Sequence, residues 1–104
     1  MGRFLDVDPS RHGGLPPSLE LRVGDLLRFH ASGGRVVEGG TALRLLGSFG
    51  PAVLSTDDTV LSPEGGPTMV VFWAVEPGSA AVEVVTGDPW RSPRKGRTTV
   101  RVRP

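Results

Sequence analysis

Residues 69–75 read Met-Val-Val-Phe-Trp-Ala-Val, apolar at every position. The β-branched and aromatic content suits a strand. A strand alternates its side chains between two faces, so both faces of this one are apolar. Val70, Phe72 and Ala74 share one face; Met69, Val71, Trp73 and Val75 share the other. Such a strand belongs in the middle of a sheet, and the rest of the chain must pack around it. Glu76-Pro77-Gly78 follows, then a second run, Ala80 to Val85. Pro77 presets φ and Gly78 supplies a positive φ, which together predict a type II turn and a β-hairpin. Glu83 marks the solvent side of the second run. Val82 and Val84, with Val70 and Phe72, are therefore the expected core.

The chain has 104 residues, enough for one domain with a core that needs no staples. It has no cysteine, which removes disulfides, thiol catalysis and cysteine-ligated zinc. Fifteen glycines and ten prolines punctuate it, favouring many short strands over helices. No apolar run approaches membrane-spanning length, so no membrane partner is expected. Residues 1–8 lack the apolar core of a signal peptide. The expectation is a cytoplasmic protein if the sequence is whole.

The net charge of +1 hides an asymmetry. Residues 1–90 carry six basic and eleven acidic side chains, a balance of −5; residues 91–104 carry six basic and no acidic ones. No aromatics interleave these arginines as a base-stacking surface requires. The expectation is a solvated strand face, with Arg101 and Arg103 paired to acidic neighbours, rather than a nucleic-acid site.

Along the chain, residues 1–17 are short on pattern and read as a loosely structured N-terminal segment. Within it Phe4, Leu5 and Val7 suit a first edge strand. Leu19, Leu21 and Val23 alternate with polar residues, Gly24-Asp25 turns, and Leu27, Phe29 and Ala31 alternate again. Two strands are expected there. Residues 32–41 read as a glycine-rich loop region, with Arg35 to Glu38 a short strand or a loop tip. Residues 42–46 suit a strand, although their leucines would also suit a helix; residues 52–55 suit a strand, Val60-Leu61 a brief pairing, and residues 62–67 an exposed loop. Residues 91–97 read as a polar loop, and Thr98, Val100 and Val102 as the inner side of a last strand. The sum is an all-β, Ig-like sandwich of about seven to eight short antiparallel strands, one domain over residues 1–104.

Catalytic chemistry has little to work with. His12 and His30 are the two histidines, so a zinc site is not expected. Asp57-Asp58 lacks the oxygen-rich spacing of calcium loops and reads as a turn. The Gly-Gly pairs are not followed by the lysine and helix of a phosphate cradle. No enzyme activity, metal or cofactor is expected. The loops at one end of the sandwich are the better candidates. Residues 32–41, 62–67 and 86–97 form such a trio. Their candidate contact residues are Gly33, Gly34, Gly65, Gly66, Asp88, Pro89, Trp90 and Arg91. Trp90 at a loop tip is either an interface anchor or a cap folded back on the sandwich end.

At these residues the chain resembles the chagasin-like inhibitors of papain-type cysteine proteases. Val23-Gly24-Asp25-Leu26 is similar to the family's early Val-Gly-Glu-Leu. Gly65-Gly66 falls where the family has a Gly-x-Gly-Gly loop, and Asp88-Pro89-Trp90 where it has Arg-Pro-Trp. The resemblance implies an Ig-like sandwich and a protein partner of the papain-type protease class. It departs at the loop that the family inserts at the protease's catalytic centre, Asn-Pro-x-Thr-Gly-Tyr, which residues 32–41 do not contain. Asp88 also reverses the charge of the family's arginine.

A second expectation concerns Met69, Val71 and Trp73. Their face is covered by the N-terminal segment through Phe4, Leu5 and Leu15, or it meets a partner or a second copy of the chain as an assembly surface.

Overall fold

A computed structural model describes residues 2–9, 14–50, 53–54, 60–61, 68–86 and 93–104. Ten strands are present among them and no helix. They are β1 (Phe4–Val7), β2 (Ser18–Arg22), β3 (Leu26–Phe29), β4 (Gly33–Glu38), β5 (Leu43–Phe49), β6 (Val53–Leu54), β7 (Val60–Leu61), β8 (Met69–Ala74), β9 (Gly78–Thr86) and β10 (Arg94–Arg103). Eight of them form two four-stranded sheets, in the orders β1-β3-β8-β5 and β2-β10-β9-β4; β6 and β7 form a separate hairpin. The all-β sandwich expected from the alternation is the observed architecture.

The core lies between the sheets. Leu27, Phe29, Leu43, Val70 and Phe72 come from the first sheet; Leu21, Val82, Val84, Val100 and Val102 come from the second. The four core residues expected from the alternation of residues 69–85, Val70, Phe72, Val82 and Val84, are fully buried. Phe29 and Phe72 meet edge to face with centroids 5.9 Å apart, an arrangement that suits the ring quadrupoles. Thr98 is a polar exception, buried with its hydroxyl donating to the Pro16 carbonyl at 3.0 Å.

The strand partners differ from expectation in three ways. First, β8 and β9 are not a hairpin. β8 pairs with β3 and β5, and β9 pairs with β10 and β4, so residues 75–77 carry the chain from one sheet to the other. The inward faces of β8 and β9 therefore look at each other across the core instead of lying side by side. Second, two pairings are parallel: β1 with β3, and β10 with β2. In each case the strand between them in sequence order, or the whole body of the sandwich, serves as the crossover that parallel strands need. Third, β10 begins at Arg94 rather than Thr98. Arg94, Lys95, Gly96 and Arg97 pair with Thr86, Val85, Val84 and Glu83. Pairing to a long neighbour overrides the poor strand propensity of these residues.

The N-terminal segment is anchored rather than draped. β1 is an edge strand, as expected. Leu15 packs on the sandwich at Gly96, where a Cβ would lie 2.3 Å from the leucine Cδ1. Pro16 and Pro17 accept hydrogen bonds from Thr98 and Thr99.

Candidate functional site

One end of the sandwich gathers three connections. The β3–β4 crossover is short, residues 30–32. The Ala31 N–H donates to the Thr68 carbonyl at 3.0 Å, just where the chain enters β8. The Ser32 N–H donates to the Val85 carbonyl at 2.9 Å, near the end of β9, and the Ser32 hydroxyl donates to the same oxygen at 3.0 Å. The Thr68 N–H donates to the Phe49 carbonyl at the end of β5. Strand ends flanking the 62–67 and 87–92 segments thus meet around the crossover. Gly65, Gly66, Asp88, Pro89, Trp90 and Arg91 themselves lie outside the described residues.

Gly33 and Gly34 are not loop residues. They open β4 and pair with Val85 and Val84 of β9. Gly34 faces inward: a Cβ there would sit 3.1 Å from the Glu83 carbonyl oxygen, 3.2 Å from Val70 Cγ1 and 3.4 Å from Phe72 Cζ. Its lack of a side chain lets β4 close over the core aromatic, a strand glycine that marks close approach rather than a turn. The turn within residues 32–41 lies at the opposite end of the sandwich. There Gly39 has a φ of 73°, and a Cβ would collide with the Ser79 carbonyl. The region expected to be one contact loop is therefore mostly strand, with its turn pointing away from the gathered connections.

The outer face of the first sheet is the second candidate. Across it Phe4, Leu26 and Trp73 stand in register, and so do Asp6, Arg28 and Val71. Met69 pairs with Phe49 of β5. The face is open: Trp73 is 40% exposed, Phe49 48% and Phe4 53%. Leu46, the extra residue of a bulge in β5, adds to the apolar edge at 51% exposed. The described residues of the N-terminal segment do not cover it. Phe4 extends the face, and Leu5 and Leu15 pack against the core instead.

A polar cluster is set into this face. Arg28 Nε donates to Asp6 Oδ1 at 2.7 Å, His30 Nε2 lies 2.9 Å from both Asp6 oxygens, and the Arg28 guanidinium stacks 4.9 Å over the Phe4 ring. The Arg28 hydrogen bond, helped by His30, holds the Asp6 carboxyl down at about 2. Among the described residues no group of three acidic or histidine side chains is placed to hold a metal ion.

Sequence reasoning found only part of the outer face of the second sheet. Arg22, Arg35, Lys95, Arg97, Arg101 and Arg103 project from it, with Glu20, Glu38 and Glu83 among them. The signal was present in the alternation of Arg101 and Arg103 but was cut short by reading residues 91–97 as a loop. The expected pairing of these two arginines is half met. Arg103 bonds Glu20 at 2.9 Å, while Arg101 has no ion-pair partner among the described residues.

No family model matches the sequence, and no curated protein does. Solved structures do match. The cysteine protease inhibitor EhICP2 from Entamoeba histolytica aligns over 98% of this chain and 97% of its own, with a TM-score of 0.59 and 13% identity. The solution structure of amebosin aligns over 97% of this chain and 98% of its own, with a TM-score of 0.47 and 13% identity. At such identity the EhICP2 match speaks for the fold, and the fold of this chain is that of the chagasin-like cysteine protease inhibitors.

Proposed function

We propose that this chain is a protein-binding module that meets its partner with the loop end of the sandwich, a papain-type cysteine protease being the sharpest form of that partner. The observation that carries the reading is the meeting of the β3–β4 crossover with the ends of β5, β8 and β9 through the backbone bonds of Ala31, Ser32 and Thr68. Thr68, which follows the 62–67 segment, and Val85, just before the 87–92 segment, are thereby held beside the same crossover, and binding loops are commonly displayed from such strand ends. Trp90, with Asp88, Pro89 and Arg91 beside it, would supply a large amphipathic contact. A fold shared with an inhibitor raises this reading without carrying it, because function resides in the site.

A second reading has its own observation. The outer face of the first sheet exposes Trp73, Phe49 and Phe4 around Met69, Val71 and an inlaid arginine, Arg28. Aromatics, methionine and arginine are the residues enriched in protein interfaces. In this reading the module associates through the sheet face, with another protein or with a second copy.

Affinity capture of partners from the source organism, using wild type, Trp90→Ala and Trp73→Ala, separates the two. Loss of the captured protein with Trp90→Ala alone is expected. Loss with Trp73→Ala alone moves the function to the sheet face.

A further inference from the structure

We propose that the outer face of the second sheet is a docking surface for an extended acidic segment of a protein, separate from the loop end. Among the described residues six cations stand on this face against three acids, a balance of +3 in a chain whose total is +1. Four of the cations, Lys95, Arg97, Arg101 and Arg103, lie on one side of a single strand, β10. They span about 26 Å at ~3.3 Å per residue.

Glu83 stands directly opposite Arg97 and Glu20 directly opposite Arg101, but these acids are too few to neutralise the cations of this face. Arg35 reaches Glu83 at 3.5 Å and Arg103 reaches Glu20 at 2.9 Å. Lys95, Arg97, Arg101 and Arg22 have no ion-pair partner among the described residues. Arg22 and Arg103 are direct cross-strand neighbours, and like charges placed so are destabilising. That pair adds to the positive excess where β2 and β10 meet.

The floor of the face is low. β9 contributes Ser79 and Ala81 there, and β10 contributes Thr99 opposite Ala81. An extended polypeptide has the same two-residue repeat as β10, so acidic side chains at alternate positions would meet successive cations in step. Arginine adds bidentate recognition of carboxylates. A nucleic acid fits less well, because among the described residues no aromatic side chain on this face offers its bases a stacking surface. The proposal stands whether the loop end or the first sheet meets the other partner.

The test uses the full chain and a fluorescent peptide of alternating Glu and Ser, about ten residues long to match β10. Anisotropy titrations compare it with the same peptide carrying Lys for Glu, and with an oligothymidylate of equal charge. The acidic peptide should bind, weaken as salt is raised, and lose about tenfold or more in affinity with Arg97→Glu/Arg101→Glu. The neutral pair Arg97→Gln/Arg101→Gln should lose less; it is the variant read if the reversed pair does not fold. The lysine peptide should not bind. Equal binding of wild type and both variants, or no binding of the acidic peptide, overturns the proposal. Tighter binding of the oligothymidylate at ~150 mM salt also overturns it and assigns the face to phosphate.

Discussion

Arg3 and Asp25 are 22 residues apart and joined twice: the Arg3 backbone N–H donates to Asp25 Oδ1 at 2.8 Å, and its guanidinium donates to Oδ2 at 3.2 Å. The same carboxylate accepts the Arg22 N–H at 2.8 Å. Asp25 is only 2% exposed. One buried side chain thus ties the entry of β1 to the β2–β3 turn. The Leu26 N–H closes the junction by donating to the Arg3 carbonyl at 2.8 Å.

Asp25→Ala should therefore destabilise the chain by about 3 kcal/mol, since it strips a charged acceptor from two backbone donors. Asp25→Asn, which keeps one carbonyl acceptor, should lose less. Chemical denaturation of the two variants checks the order. If Asp25→Ala unfolds at the wild-type midpoint, the carboxylate is not the clasp of this junction.

Acid should loosen the fold through two carboxylates. Burial raises the Asp25 pKa, but the Arg22 and Arg3 hydrogen bonds outweigh it and leave the group below the ordinary aspartate value of 3.8. Asp6 is lowered to about 2, chiefly by Arg28. Both folded values are depressed, so the stabilisation is present in full above the unfolded value of 3.8 and is lost as pH falls through the folded values. The melting temperature should drop between pH 4 and pH 2, and Asp6→Asn should flatten part of that drop. A wild-type melting curve level over that range would contradict the linkage.

Gly34→Val separates the two roles of the glycine pair. As a contact-loop residue it would leave stability alone. As an inward strand position pressed on Val70, Phe72 and the Glu83 carbonyl, it should lose about 1–3 kcal/mol by overpacking. Gly33→Val, with only Val85 Cβ at 3.9 Å, should be far milder. Equal melting of the two variants would return both glycines to the loop reading.

Trp73 gives the corresponding test for the first sheet. At 40% exposed and uncovered by the described residues of the N-terminal segment, Trp73→Ser should change stability by much less than the 3–5 kcal/mol of a buried tryptophan. A loss of that size would show that something covers the face in solution. Sedimentation of the wild type would then tell whether a second copy does so.

The inward residues were legible because a two-residue period survives any choice of partner. Val70, Phe72, Val82, Val84, Val100 and Val102 follow from alternation alone, and all face the core. Pairing was not legible. Glu76-Pro77-Gly78 reverses the chain equally well within a sheet or between sheets, and only the long-range register of β3 and β5 on β8 decides. Gly33-Gly34 looked like punctuation because the aromatic that requires a missing Cβ, Phe72, lies far away in sequence. The first four residues of β10 were hidden for the same reason: their strand state comes from β9, not from Arg, Lys and Gly.

The last prediction concerns papain. Inhibition in the chagasin-like manner requires a loop inserted at the protease's catalytic centre, and the resemblance placed that loop at residues 32–41. Here β4 occupies Gly33–Glu38 and is paired along its length with β9. The crossover that remains at the loop end, residues 30–32, is held down by the Ala31 bond to Thr68 and the Ser32 bonds to Val85. Lengthening it into a probe would mean stripping β4 from β9 and exposing Val36, a cost that binding would have to offset. The chain should therefore not inhibit papain at about nanomolar concentration, even with Trp90 intact. Residual weak inhibition, if measured, should vanish with Trp90→Ala, because the 87–92 segment is then the main contact left. Nanomolar inhibition of papain that survives Trp90→Ala would mean that a short, pinned crossover suffices, and would overturn this account of the loop end.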